Sequence, residues 1–194
     1  MVDLEGTLVN KTGLIEIRWH GRGGQGAVTS AEMLAQSAIA EGKYAQAFPS
    51  FGPERRGAPV QAFNRVDTRE LVRLRVDITE PDYVVVLDPG LLEKVKVTSG
   101  LKKGGWVIVN TRKTADEIKK EFNIDYPVAT VNAGKIAREV LGVNIVNTTM
   151  LGAVLKVTGI VDKKSTYEPL QKRFGKLGDR NIKAMETAYE QVAM

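Results

Sequence analysis

Residues 13–41 read GLIEIRWHGRGGQGAVTSAEMLAQSAIAE: a short β-type run, an abrupt cluster of glycines, then a long helical stretch. Leu14, Ile15 and Ile17 lead into Gly21, Gly23, Gly24 and Gly26, and the pattern predicts a helix starting near Gln25. Glycine lets a backbone turn at positive φ and lets a ligand come close to the main chain. A helix that opens directly behind such a turn aims its free N–H groups and the positive end of its dipole at whatever sits there, which favours a phosphate.

The spacing Gly21-x-Gly23-x-x-Gly26 matches the dinucleotide fingerprint in a strand-to-helix setting. That fingerprint expects a carboxylate about 20 positions on, at the end of the second strand, to hold a ribose. The corresponding region, residues 42–49, offers Lys43, and Glu41 falls at the helix end. A lysine suits a phosphorylated ligand better than a bare ribose diol. A stand-alone nicotinamide-dependent dehydrogenase is therefore an alternative with a missing part, and a tight turn that binds nothing is a second alternative.

The 194 residues suffice for one domain with a full core, and no linker or repeat divides residues 1–194. No apolar stretch approaches the roughly 20 residues of a membrane helix, and the N-terminus does not have the form of a secretion signal, so the expectation is a cytoplasmic chain with no membrane partner. The sequence contains no cysteine and one histidine, His20, so it offers neither disulfides nor a cysteine-ligated metal or cluster. Abundant Lys, Arg and Glu with no cysteine fit a heat-adapted source. The net charge is +5. It concentrates in Arg18, Arg22, Lys43, Arg55, Arg56, Arg65, Arg69, Arg73 and Arg75, a basic set open to phosphorylated cofactors, an acidic protein surface, nucleic acid or solvent alone; the expected partners are the first two, with no nucleic acid.

The apolar runs Tyr83–Leu87, Trp106–Asn110 and Pro127–Asn132 read as strands buried on both faces, as in a parallel sheet under helices. Helices are predicted over Ala115–Glu121 (capping box Thr114-x-x-Glu117), from Asn132 to Gly142, from Thr148 to Val157, behind a second capping box Ser165-x-x-Glu168, and over Arg180–Val192. Pro59–Val66 and Glu70–Val76 read as an antiparallel hairpin turning at Asp67–Thr68. The expected fold is α/β: a Rossmann-like, mostly parallel sheet flanked by helices, with that hairpin at one edge.

Residues 48–59, FPSFGPERRGAP, hold three prolines and two glycines and are irregular by composition. Following the second strand, this loop belongs at the carboxyl end of the sheet beside the glycines, where it presents Ser50, Glu54, Arg55 and Arg56. His20 lacks an identifiable acid to orient its ring, so packing is its expected role.

The stretch from His20 to Ala35, HGRGGQGAVTSAEMLA, followed by FGPERRGAPV from Phe51 to Val60, closely resembles the gamma subunit of pyruvate and other 2-oxoacid:ferredoxin oxidoreductases, and Asn147–Gly152 (NTTMLG) looks like a third element of that family. The resemblance implies a multi-subunit enzyme with alpha, beta and delta partners. Such enzymes decarboxylate a 2-oxoacid on thiamine diphosphate with Mg2+, pass two electrons through 4Fe-4S clusters to ferredoxin and transfer the acyl group to coenzyme A. A chain without cysteine leaves the clusters to other subunits, and no convincing thiamine diphosphate segment is visible. The resemblance further implies a non-catalytic role near coenzyme A. Gly23, Gly24, Gln25 and Gly26 would supply main-chain donors to a phosphate, Lys43 a point charge and Asn147 a side-chain amide. Arg55 and Arg56 would contact substrate or a neighbouring subunit.

Overall fold

A computed structural model describes residues 13–50 and 57–194. Among them, six strands form one sheet in the order β2-β3-β1-β4-β5-β6. The strands are β1 (Leu14–Arg22), β2 (Tyr44–Pro49), β3 (Pro59–Asp67), β4 (Tyr83–Val86), β5 (Trp106–Asn110) and β6 (Val128–Val131). The helices are α1 (Ala27–Ala40), α2 (Ala115–Phe122), α3 (Ala133–Leu141), α4 (Asn147–Thr158), α5 (Tyr167–Phe174) and α6 (Gly178–Gln191). β1, β4, β5 and β6 are mutually parallel. β3 runs antiparallel to both β1 and β2. The mostly parallel α/β sheet is as expected, but the hairpin differs: its arms are β2 and β3, and residues 70–76 are not a strand. That segment leaves β3 and crosses the sheet instead of returning alongside it, as described below.

Residues of β1 alternate strictly. Ile15, Ile17 and Trp19 face the layer that contains α1, α3, α4 and α6, where they meet Met33, Leu34, Val85, Ile108, Met150, Leu151 and Met185. The opposite face carries two smaller apolar clusters, Val84–Val86–Val107–Val109 under Leu91, Val97, Leu101 and Ile118, and Phe48–Phe63 under Ile78. Between them lies the polar side of β1: Glu16, Arg18, His20 and Arg22. A polar residue buried there requires a partner. Arg65 donates to Glu16 at 2.8 Å. Arg18 is buried without a carboxylate, and donates to the carbonyls of Ile78 (3.3 Å), Val97 (2.9 Å) and Ser99 (2.6 Å). It thereby pins two loops to the sheet.

The helix ends follow their sequence signals where side chains could act locally. Thr114 and Glu117 form the reciprocal capping box of α2. Asn132 caps α3, and Gly142 closes it at φ 76°. The second capping box does not form. Ser165 sits inside a 3-10 turn, Lys163–Thr166, capped by Asp162, and α5 begins behind Thr166 without a side-chain cap. The closeness of α4 to α6 has a single-residue cause: a Cβ on Gly152 would lie 1.9 Å from the Met185 carbonyl oxygen.

Candidate functional site: a cradle at two helix amino termini

β1 ends at Arg22, and the chain turns through Gly24 (φ 92°) and Gly26 (φ 81°) into α1, two residues later than the sequence suggests. Both positive angles require glycine. Gly26 is also crowded: a Cβ there would stand 2.6 Å from Asn147 Nδ2. Asn147 opens α4, so the amino termini of α1 and α4 meet at this point. The Ser30 hydroxyl joins them, sharing its one proton between the carbonyls of Gly26 (3.2 Å) and Asn147 (3.1 Å).

The polarity of this meeting point is unusual. Neither helix has a side-chain cap of its N-cap residue, and neither has an acidic residue in its first turn. Asn147 Oδ1 accepts from the Thr148 N–H at 2.7 Å, which leaves its Nδ2 turned towards Gly26. The N–H groups of Gly24 and Gly26 have no acceptor among the described residues. Two helix dipoles, and several donors without a partner among the described residues, therefore converge with no acidic side chain in either first turn, an arrangement suited to an anion.

Two of the four expected main-chain donors are committed elsewhere. Gly23 N–H donates to the Ala58 carbonyl at 3.0 Å, and Gln25 N–H to the Arg22 carbonyl at 2.9 Å. Gln25 instead works through its side chain. Its Oε1 accepts from the Arg22 N–H (2.8 Å) and its Nε2 donates to Asp88 (3.0 Å), which also takes a 2.7 Å ion pair from Arg22. Burial alone would raise the Asp88 pKa, but the bonds from Arg22, Gln25 and the Gly90 N–H outweigh it and hold the carboxyl below its ordinary value. Arg22, Gln25 and Asp88 thus brace the glycine turn against the carboxyl end of β4. Asp88 went unnoticed in the sequence, although Asp88-Pro89-Gly90 directly after a strand is a recognisable cap signal.

Lys43 does not reach this cradle. It precedes β2, whose first residue lies across Asp67 from Leu14, so Lys43 is at the opposite end of the sheet from Arg22. Nine strand residues at about 3.3 Å each separate the two ends. Its ammonium pairs with Glu41 at 2.6 Å and donates to the Ile160 carbonyl. Nor do the cations form one patch: Arg18 and Arg65 are buried, and Arg22 and Lys43 are paired. Arg55 and Arg56 lie outside the described residues, as does Glu54. The limb that follows them reaches the glycine turn, since Gly57 N–H donates to the Gly23 carbonyl at 3.3 Å.

His20 is buried, and its Nε2 accepts from Arg18 Nε at 3.1 Å. Burial, then the Arg18 charge, push its pKa down to about 3, so the ring is neutral at pH 7 and structural. The dehydrogenase geometry is absent as well. The neighbour of β1 on the β2 side is the antiparallel β3, so the end of β2 lies two strands away from the glycine turn. Among the described residues no three His, Asp or Glu side chains gather to hold a metal ion, and no helix is long and apolar enough to cross a membrane.

Residues 16–191 match the family model of pyruvate ferredoxin/flavodoxin oxidoreductase. The chain belongs to this family. It is 54% identical over 183 residues to the pyruvate/ketoisovalerate oxidoreductases common subunit gamma of Thermococcus litoralis, covering 93% of this chain and 98% of that one. It is 52% identical over 180 residues to the pyruvate synthase subunit PorC of Methanocaldococcus jannaschii, covering 92% and 97%. The crystal structure of the pyruvate oxidoreductase subunit PORC of Thermotoga maritima superposes with a TM-score of 0.83 at 39% identity, covering 93% and 98%. Within the family the chain is of the gamma, or PorC, type, a subunit of an oxidoreductase complex.

Proposed function

We propose that this chain works in a 2-oxoacid:ferredoxin oxidoreductase, with pyruvate as the expected acid, and that its own task is to hold the phosphates of coenzyme A. The overall reaction takes a 2-oxoacid and coenzyme A to acyl-coenzyme A and CO2 while two electrons reduce ferredoxin. Alpha, beta and delta subunits complete the enzyme and carry thiamine diphosphate, Mg2+ and the 4Fe-4S clusters. A sequence without cysteine has no thiolate to ligate such clusters. The observation that carries the reading is the meeting of two uncapped helix amino termini at Gly26 and Asn147, with no carboxylate in either first turn.

In this reading the Gly24 and Gly26 N–H groups and Asn147 Nδ2 donate to phosphate oxygens. Gln25 keeps the turn open through Arg22 and Asp88. Gly23 contributes by anchoring the Gly57–Ala58 limb, and Arg55 and Arg56 are assigned contact with the substrate or a neighbouring subunit. These residues bind and orient; none moves a proton.

Coenzyme A titration of the assembled complex tests the reading. Asn147→Asp keeps the oxygen that accepts from Thr148 but replaces the amide donor with a negative charge, and Gly24→Asp, compared with Gly24→Ala to account for the strain at φ 92°, brings a carboxylate to a site with open space beside it. Each is expected to weaken coenzyme A binding at least about tenfold, equivalent to about 1.4 kcal/mol. Lys43→Ala is expected to bind coenzyme A like the parent. Unchanged affinity in both aspartate variants, with the complex assembled, would leave the chain a structural subunit only.

A further inference from the structure

Residues 70–76, ELVRLRV, have the alternation of a strand but pair with none. They lie across the polar face of the sheet and are held by alternate carbonyls. Gln46 Nε2 donates to Val72 O, and Arg65 Nη1 donates to Leu74 O and Val76 O at 3.0 Å each. Bonding through every second residue marks an extended chain, in which the N–H and C=O of one residue point to the same side and neighbours point to opposite sides. The main-chain groups of Leu71, Arg73 and Arg75 therefore face away from the sheet, and none of them has a hydrogen-bond partner among the described residues. The side chains are equally bare. Leu71, Leu74 and Val76 are 61%, 64% and 61% exposed. Neither Arg73 nor Arg75 meets a carboxylate among the described residues. Between residues 70–74 of the segment, Glu70 included, and Leu14, Glu16, Arg65 and Asp67 opens a 610 Å³ cavity.

We propose that residues 71–75 are a docking edge to which an extended, acidic segment of another subunit adds as a β-strand. An open row of main-chain donors and acceptors is a template for strand addition. The three exposed aliphatic side chains are apolar area that a partner would bury. The two unpaired arginines set the sign of the partner. A second copy of this chain, itself of charge +5, would bring the same two arginines against its twin, whereas a carboxylate-bearing segment would complement them. The proposal rests on the chain being one subunit of a complex, and not on coenzyme A binding.

The test compares hydrogen–deuterium exchange of the amides at 71–75 in the isolated chain and in the complex purified from cells co-expressing its partner subunits. The amides of Leu71, Arg73 and Arg75 are expected to exchange at least tenfold more slowly in the complex. The double variant R73E/R75E is expected to loosen assembly at least tenfold at low salt and less at high salt, while the isolated variant melts at the parent's temperature. Complexes that still form should bind coenzyme A normally, which separates this edge from the cradle. Equal exchange rates in chain and complex, protection that grows with the concentration of the isolated chain, or full assembly of R73E/R75E would each overturn the proposal.

Discussion

At the scale of single residues, the polar side of β1 shows how a strand can bury charge. His20 is neutral in the fold, whereas in the unfolded chain it titrates near its ordinary value of 6.5. The unfolded state therefore binds more protons between pH 6.5 and about 3, and the stability contributed by the neutral ring, complete above 6.5, is lost as pH falls through that window. His20→Gln should flatten the acid limb of a stability-against-pH curve, by a slope approaching about 1.4 kcal/mol per pH unit. Chemical denaturation from pH 7 to 4 checks it. Asp88→Asn should cost about 1–2 kcal/mol by weakening the bonds from Arg22 and Gln25, measurable from urea midpoints. The contribution of the Asp88 carboxylate has the same sign in pH: present above the ordinary aspartate range, lost below it. The glycine turn was legible in the sequence because positive φ leaves local marks, whereas Asn147 was reached only through the family resemblance of residues 147–152. The role of Lys43 was not legible, because it depends on which end of the sheet a residue occupies, and only the strand pairing decides that.

At the scale of elements, small residues set the distances. Gly152 lets α4 lie against α6, and the buried alanines of α1 let it pack closely on the sheet and beside α4. Gly152→Ala should force these helices apart and lower stability by about 1–3 kcal/mol, the cost of overpacking a full core, seen as a lower melting temperature. Gly26→Ala meets both a forbidden φ and the Asn147 amide, so it should be worse than Gly24→Ala, whose Cβ meets nothing. Paired melting curves rank the two. Capping signals read well where the cap acts on its own helix, as at Thr114 and Asn132. Ser165 misled because Asp162 offers a competing turn three residues earlier. Residues 70–76 misled for a longer-range reason. Their alternation is that of a strand, yet Arg65 and Gln46 draw the carbonyls over the sheet face and keep the segment off its edge.

At the scale of the whole molecule, the parallel strands β4, β5 and β6 were readable from continuous apolar runs, since strands covered on both faces need them. The position of β3 was not: alternation in the sequence pairs residues 59–66 with 70–76, and no local signal records that β3 instead inserts between β2 and β1. That insertion also governs the order in which the molecule can assemble. β1 and β2 share no ladder; they are joined to each other only through β3, which begins at Pro59. A nascent chain leaving the ribosome thus carries two strands, with α1 between them, that have nothing to zip against until residues 59–67 emerge. A chain released before that point would hold the complete glycine turn on a strand without a sheet, and the anion cradle would still lack its second helix until residue 147 had arrived.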